Sequence, residues 1–307
     1  METKPILSIC LPTFNRESQF AACLAELVNQ TLALEDRGLV EIIVSNNAST
    51  DGTAAVARKF AGLYSGLRYN ENAADLGPIE NFLLLIKMAR GSYFWLVGDD
   101  DLIKPGALKK ILGILVENPR PDLFYVNYEQ KGSEGLKKIN LPEDMFFESG
   151  REYVRYGLRH FSSNEWDVAK FTFITSLIIR KERWDAVAEK ERFMKTAAPH
   201  AYVIFSFLPD RPLYLISEAL ALQNNAVYRD TDTIQAATLY KEWLKIFWFI
   251  GKQCGFRPAF ARLVAWNCLV YKKERLKAAY PAVKKTLEFL EAALRKAFGQ
   301  RAPLRKN

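Results

Sequence analysis

The sequence predicts an α/β fold in which a mainly parallel sheet is covered by helices on both faces and followed by a helical C-terminal region. Three observations lead to this prediction. Short apolar runs alternate with helix-period segments over the first 130 residues. Polar clusters follow the first, second and fourth of these runs. After Gln235 the pattern becomes helical and strongly basic.

Seven apolar runs predict strands, and apolar residues spaced by three and four predict helices between them. The predicted strands are 6–11, 40–45, 67–69, 93–97, 122–127, 173–179 and 213–217. The predicted helical faces are Phe20, Leu24, Leu27 and Val28; Ile79, Phe82, Leu83 and Ile86; and Leu108, Ile111, Leu112 and Leu115. Residues 132–142 are polar and predict a loop.

The composition is that of a folded globular protein. The 307 residues are 49% hydrophobic and 25% charged, enough for one or two domains. Residues 1–5 are short and polar, so no secretory leader is expected, and no apolar run approaches the roughly 20 residues that cross a bilayer. The four cysteines show no paired metal or redox spacing, which favours structural roles in a reducing cytoplasm. They are Cys10, Cys23, Cys254 and Cys268.

Charge is distributed unevenly along the chain. Residues 235–307 carry 16 Lys and Arg against 4 Asp and Glu, a net charge of +12, whereas the rest has a net charge of −4. This asymmetry points to a polyanionic partner, and three interpretations stay open: a solvated helical cap, an element that lies on an anionic membrane surface, and, less favoured, a nucleic-acid-binding region. The aromatic residues that favour the membrane are Trp243, Phe247, Trp248, Phe249 and Trp266.

The triplet Asp99, Asp100 and Asp101 follows the apolar run 93–97. Three carboxylates at the end of a buried strand repel one another, and a divalent cation relieves that repulsion. Mg²⁺ and Mn²⁺ typically share one or two carboxylates with substrate phosphates, which predicts a metal–diphosphate site here. The alternative is a solvated acidic turn that caps the helix after Pro105.

Three further polar motifs precede the triplet. The segment 12–16 (PTFNR) follows the first strand, and Pro12 is expected to end that strand and turn the chain outward. The segment 46–53 (NNASTDGT) is rich in short polar side chains that suit a base and a ribose, and Asp75-Leu76-Gly77 precedes a helix. Each motif alone is typical of an ordinary turn or helix cap between a strand and a helix. An ordinary turn or cap does not explain why the motifs are placed along the same edge of the sheet.

In this order and spacing, the segments PTFNR, SNNASTDGT, NAADLG and WLVGDDDLIKPGAL resemble the family-2 glycosyltransferases with the A-type nucleotide-sugar fold. The abequosyltransferase-type enzymes of bacterial surface polysaccharides are the most similar branch. The resemblance covers the first 130 residues well and the next 90 loosely. It implies a donor-binding core at 1–130 and an acceptor-binding and sheet-completing region at 131–234. The predicted basic helical region at 235–307 lies outside the resemblance.

The resemblance also implies roles for individual residues. The donor-binding residues would be Pro12, Thr13, Asn15, Arg16, Asn46, Asn47, Asp75, Gly77, Asp99 and Asp100, and the metal ligands Asp99 and Asp101. Many relatives carry Asp where this chain has Asn46, Asn47 and Gly98. The acidic residue that usually serves as base corresponds to His200, which makes His200 and Asp101 the catalytic candidates, with Glu165, Asp167 and Glu191 as rivals for the base.

The predicted function is a Mg²⁺- or Mn²⁺-dependent inverting transfer of a sugar from a nucleoside-diphosphate donor to a saccharide in surface polysaccharide synthesis. The expected acceptor is a saccharide linked to a lipid diphosphate. The enzyme is expected in the cytoplasm, and peripheral binding to the inner face of the membrane stays open. Two other classes stay open. A nucleotidyltransferase would need a Gly-rich phosphate loop that PTFNRES lacks, and an inactive nucleotide-sugar-binding or scaffold protein would need no base.

Overall fold

The computed structural model describes residues 4–132, 135–138, 141–160, 173–196, 198–223, 245–246 and 248–256. The chain divides into two compact units. One comprises residues 1–153 and 169–229, and the other comprises residues 154–168 and 230–307. In the described part of the chain, no helix is long and apolar enough to cross a membrane.

The first unit is built on a sheet of ten strands, counted over the described residues. The strands are β1 Leu7–Thr13, β2 Val40–Asn46, β3 Leu67–Glu71, β4 Tyr93–Leu96, β5 Leu102–Ile103, β6 Leu123–Gly132, β7 Gly135–Lys138, β8 Met145–Phe147, β9 Leu177–Arg180 and β10 Leu213–Gln223. Their order is β3-β2-β1-β4-β9-β6-β10-β5, with β7 beside β6 and β8 beside β10.

Seven α-helices accompany the strands in the described residues. They are α1 Glu17–Leu32, α2 Thr53–Leu63, α3 Pro78–Met88, α4 Ala107–Glu117, α5 Gly150–His160, α6 Lys181–Asp185 and α7 Pro199–Phe207. The predicted α/β class with flanking helices is confirmed. The sheet is mixed, because β9 enters antiparallel between the parallel strands β4 and β6.

The parallel half of the sheet has a strongly apolar centre. All residues of β2 and β4 are buried, as are Leu7 to Leu11 of β1, which is typical of parallel strands covered on both faces. The helix α1 buries Phe20, Leu24, Leu27 and Val28 as predicted. Cys10 and Cys23 are buried free thiols in this unit, as a structural role requires.

Pro12 does not end β1. The strand continues to Thr13, and Pro12 aligns with Ser45 of β2. Alternate residues of β1 face opposite neighbours: the carbonyl of Cys10 accepts from Val97 beyond β4, and the carbonyl of Thr13 accepts from Asn47 beyond β2. Pro12 therefore faces the β4 side, where the β1–β4 pairing ends at Cys10 and Leu96. Its missing N–H coincides with the end of that ladder, while the pairing with β2 continues.

Two other expectations need correction. Residues 132–142 contain β7, which pairs antiparallel with β6, so the predicted loop is partly a hairpin. The strand predicted at 173–179 begins only at Leu177, because Ile174–Ser176 form a 3₁₀ turn. That turn brings a hydroxyl to the functional site.

In the second unit, the described residues include a helical segment at 248–254. Ile246, Ile250 and Cys254 are buried, whereas Trp248 is 53% exposed. The guanidinium of Arg155 lies 5.7 Å from the ring centroid of Phe256. Of the other aromatic residues named for the membrane interpretation, Phe249 is partly exposed, whereas Trp243, Phe247 and Trp266 lie outside the described part.

Candidate active site

The carboxyl ends of β1, β2 and β4 meet at one edge of the sheet, because these neighbouring strands run parallel. The motif 12–16 follows β1, the motif 46–53 follows β2, and the acidic triplet follows β4. The edge of a parallel sheet beyond its carboxyl ends is where α/β folds bind ligands. The structure thus brings three of the four predicted motifs together.

The acidic triplet forms a tight turn that buries two of its three carboxylates. The backbone N–H of Asp101 donates to the carbonyl of Gly98 at 3.1 Å. Asp99 is 6% exposed and Asp101 is 4% exposed. A solvated acidic turn is therefore wrong for these two residues, and neither caps α4, which begins after Gly106 in the left-handed conformation.

Arg16 holds the triplet from the side of β1. Its Nη1 atom lies 3.0 Å from Asp99 Oδ1 and 3.0 Å from Asp100 Oδ2. Burial opposes the charge of this guanidinium, yet the two carboxylates together raise the pKa of Arg16. For Asp99, burial raises the pKa of the carboxyl, and Arg16 and the hydroxyl of Thr13 offset part of that increase.

Asp101 is fixed by a residue that the sequence analysis did not single out. The hydroxyl of Thr175 donates to Asp101 Oδ2 at 2.5 Å and accepts from the N–H of Gly98 at 3.0 Å. The carbonyl of Thr175 accepts from Trp95 Nε1 at 2.7 Å. A buried hydroxyl in an otherwise apolar run was the available signal, and the 3₁₀ turn before β9 explains its position.

Gly98 is constrained by the carboxylate that it faces. A Cβ atom added at Gly98 would lie 2.8 Å from Asp101 Oδ2, closer than real Cβ contacts allow. The short turn therefore accommodates Asp101 in its observed position because residue 98 has no side chain. Behind the turn, Cys23 Sγ donates to the carbonyl of Gly98 at 3.6 Å, and burial followed by the nearby carboxylates raises the pKa of this thiol.

The asparagines of the second motif are occupied by contacts within the protein. Asn46 is fully buried, and it accepts from the N–H of Ser49 at 2.9 Å and donates to the hydroxyl of Tyr69 at 3.0 Å. Asn47 Nδ2 donates to Asp75 Oδ1 at 2.5 Å. The same Asp75 oxygen accepts from the N–H of Gly77 at 2.7 Å.

Asp75 and Gly77 therefore shape the loop before α3. Gly77 has a φ of +78°, a conformation that favours glycine. Asn47 Oδ1 accepts from the N–H of Leu76 at 3.0 Å and from Asn72 Nδ2 at 3.0 Å. These contacts place the segment Asp75-Leu76-Gly77 against the motif 46–53.

The first and second motifs are joined to each other by short polar side chains. Asn15 has a φ of +50°, its N–H donates to Ser49 Oγ at 2.9 Å, and its Oδ1 accepts from the N–H of Thr50 at 2.8 Å. Asp51 accepts from the N–H groups of Glu17 and Thr53, each at 3.0 Å. Asp51 thereby satisfies donors at the starts of both α1 and α2. Its hydrogen bond from the Thr53 hydroxyl is the main reason that the pKa of Asp51 is lowered.

Thr13 places a buried hydroxyl beside the Asp99 carboxylate. Its Oγ1 makes no hydrogen bond of good geometry to a described residue, yet it lies close enough to lower the pKa of Asp99. A weakly bonded hydroxyl of this kind is available to a ligand that supplies a better-placed acceptor.

The chemistry of these donors suits a hard divalent cation. Asp99 and Asp101 both contribute buried carboxylates to the turn after β4, and Mg²⁺ commonly combines one or two carboxylates with substrate phosphates. No group of three His, Cys, Asp or Glu side chains converges as a complete cage within the described residues. The residues present thus fit a cation shared with phosphates.

His200 is the second residue of α7, directly after Pro199, and is partly exposed. Proline at the first helical position leaves no N–H to satisfy there, which explains the helix start. Among the rivals for the base, Glu191 lies exposed in the 3₁₀ turn Lys190–Phe193. Glu165 and Asp167 lie outside the described residues.

Comparison with known proteins shows which family and fold this chain resembles. Residues 8–177 match the family described as glycosyl transferase family 2. The abequosyltransferase RfbV of Salmonella typhimurium is 29% identical over 227 residues, which cover 71% of this chain and 66% of that protein. Two further bacterial relatives are matched over only 32% and 35% of their length.

Solved structures share the fold at low identity. Staphylococcus aureus TarS in complex with UDP-GlcNAc has a TM-score of 0.65 and 15% identity, over 95% of this chain and 81% of that one. A Pyrobaculum calidifontis mannosyltransferase in complex with GDP-Man and Mn²⁺ has a TM-score of 0.54 and 13% identity, over 97% and 89%. The matched family spans β1 to the first residue of β9 and includes the acidic triplet, and on this ground the chain belongs to glycosyl transferase family 2.

Proposed function

We propose that this protein transfers a sugar from a nucleoside-diphosphate donor to a saccharide acceptor, with inversion and with the help of a divalent cation, in the synthesis of a cell-surface polysaccharide. The observation that carries the proposal is the buried pair Asp99 and Asp101 at the carboxyl end of β4, beside Arg16 and the weakly bonded hydroxyl of Thr13. Membership in the family and the similarity to an abequosyltransferase support it.

Each part of the site has a role in the proposed reaction. Asp99 and Asp101 would hold Mg²⁺ or Mn²⁺, which neutralises charge on the departing diphosphate when it is bound. Thr13 would donate its hydroxyl to the donor. Asn46, Asn47 and Asp75 would keep the base pocket in shape, since their polar atoms are paired with protein groups. Pro12, Asn15, Asp100 and Gly77 would line the donor pocket.

Nucleotide binding tests this proposal directly. UDP, GDP, dTDP and CDP are each added with and without Mn²⁺, and the melting temperature is measured. A ligand at 100 times its Kd stabilises the folded state by about 2.7 kcal/mol, and we expect one base to give the largest increase only when Mn²⁺ is present. An unchanged melting temperature with all four nucleotides would contradict the proposal. Even slow Mn²⁺-dependent hydrolysis of a sugar donor would show that the protein is an enzyme and not an inactive binding protein.

His200 is the proposed base that removes the acceptor proton. A neutral imidazole has an unperturbed pKa of about 6.5 and can accept a proton at neutral pH. Removing a general base costs typically 10²–10⁴-fold in rate. We therefore expect His200→Ala to lower kcat by about 10²-fold with little change in nucleotide binding. A near-normal kcat in this variant would exclude His200 as the base and leave Glu191, Glu165 and Asp167 as the candidates.

The acceptor is proposed to be linked to a lipid diphosphate, so that the enzyme works at an anionic membrane surface. The net charge of +12 over residues 235–307 and the exposed Trp248 support this part of the proposal. Flotation with vesicles that contain anionic lipid is the test, and an absence of binding would contradict the membrane contact.

A further inference from the structure

The cation nearest to the acidic triplet is a side chain of the protein itself. One nitrogen of Arg16, Nη1, contacts both Asp99 and Asp100 at 3.0 Å. The four side chains of Arg16 and the triplet together carry a net charge of −2. Arg16 thus relieves part of the repulsion among the three carboxylates, a role that the sequence pattern suggested for a divalent cation.

The backbone of Arg16 is held firmly, whereas its side chain reaches across the site. The neighbouring Asn15 bonds to Ser49 and Thr50, and the N–H of Glu17 bonds to Asp51. Only the guanidinium, at the end of a long flexible chain, is free of these backbone constraints. A movement of this group therefore requires no rearrangement of β1 or α1.

A divalent cation on Asp99 would compete with Arg16. The guanidinium cannot lose its proton near neutral pH, so it is relieved of repulsion from an arriving cation only by moving away. A nucleoside diphosphate would supply a new anion for Arg16, because the weakly bonded hydroxyl of Thr13 offers a ligand position beside Asp99. Planar guanidinium groups bind phosphate oxygens with two parallel hydrogen bonds.

We propose that Arg16 is the counter-cation of the donor-free site, and that it leaves Asp99 and Asp100 for the diphosphate when the donor and its cation bind. This inference rests on the proposed function and specifies how the donor enters. It predicts that cation and diphosphate bind with positive coupling: each is weak alone and stronger with the other, because either one alone leaves Arg16 or the carboxylates without a partner.

The test is Mn²⁺ binding to the full chain, measured by electron paramagnetic resonance with and without UDP, GDP, dTDP or CDP. In the native protein, the effective diphosphate should tighten Mn²⁺ binding at least tenfold. In Arg16→Gln, Mn²⁺ alone should bind about tenfold more tightly, the diphosphate should bind about tenfold more weakly, and the coupling should fall.

Two further variants make the result specific. Arg16→Lys keeps the positive charge but lacks the planar fork, so Mn²⁺ alone should bind as in the native protein while the diphosphate still binds more weakly. Arg120→Gln removes an exposed ion pair with Glu148 and should change neither affinity.

The outcomes separate the inference from the function on which it rests. If Arg16→Gln binds Mn²⁺ no more tightly than the native protein, and the diphosphate still binds normally with Mn²⁺, the inference is overturned and the proposed function stands. If the native protein binds no diphosphate under any condition, both are overturned.

Discussion

Replacing Asp101 by asparagine is expected to lower kcat by about 10²–10³-fold, the usual cost of losing one preorganised electrostatic group. Asparagine keeps the shape of the side chain, and its Oδ1 can still accept from the hydroxyl of Thr175. What is lost is the charge that would hold the cation. Nucleoside-diphosphate release with Mn²⁺ and a sugar donor measures the effect.

The same substitution should not destabilise the fold. Asp101 is 4% exposed and lies in a run of three carboxylates, so a neutral amide removes both a desolvation cost and a repulsion. We expect the melting temperature to stay constant or to rise. Asp185→Asn is the matched control, because it makes the same change in an exposed carboxylate that pairs with Lys181. A kcat for Asp101→Asn within about tenfold of the native value would contradict the assignment.

The sequence predicted the positions of the motifs in this site, because those positions follow from the local pattern of apolar and polar residues. Apolar runs followed by polar clusters placed the motifs after β1, β2 and β4, because parallel neighbours end at one edge. The burial of Asp99 and Asp101 could not be predicted from the local sequence. Asp101, for example, is held by Thr175, which lies more than 70 residues away along the chain, in the turn before β9.

The buried face predicted from hydrophobic periodicity was wrong for α3, where a polar side chain is buried. The predicted face of α3 was Ile79, Phe82, Leu83 and Ile86, but the helix buries Asn81, Leu85 and Ile86. Asn81 Oδ1 accepts from the hydroxyl of Ser45 at 2.6 Å, and Asn81 Nδ2 donates to the carbonyl of Ser45 at 3.1 Å. A paired asparagine can occupy a core position, and a pattern that counts only apolar residues cannot identify it.

A further buried carboxylate lies at the opposite edge of the sheet, and no motif indicated it. Asp122 directly precedes β6, and its side chain is 1% exposed. Arg180 Nε, Arg183 Nε and Arg211 Nε bind its two oxygens at 2.6, 3.1 and 2.5 Å. Sequence showed only an acidic residue before a strand, because its three partners are 58, 61 and 89 residues away.

Asp122 connects several elements of the first unit. Arg180 ends β9, Arg183 belongs to α6, and Arg211 precedes β10. Arg180 also lies 4.6 Å from the ring centroid of Tyr93 and bonds to its hydroxyl. One carboxylate therefore holds three guanidinium groups that would otherwise repel one another.

Asp122→Asn is expected to lower the free energy of unfolding by about 3 kcal/mol, the lower end of the range for breaking a buried ion pair, because the arginines remain partly exposed to water. The amide would also turn an N–H₂ group toward guanidinium donors. For a unit of this size, such a loss lowers the melting temperature by about 6–12 °C. Differential scanning calorimetry or thermal unfolding followed by circular dichroism measures it.

Activity and a surface control make this result interpretable. Asp122 aligns with the amino-terminal end of β4 through β9, whereas the triplet follows the carboxyl end, so kcat below the transition should stay near the native value. Asp210→Asn removes an exposed partner of Arg151 and should cost less than about 1 kcal/mol. If Asp122→Asn melted within about 2 °C of the native protein, the three arginines would have to be stabilised by water alone, and the carboxylate would not hold these elements together.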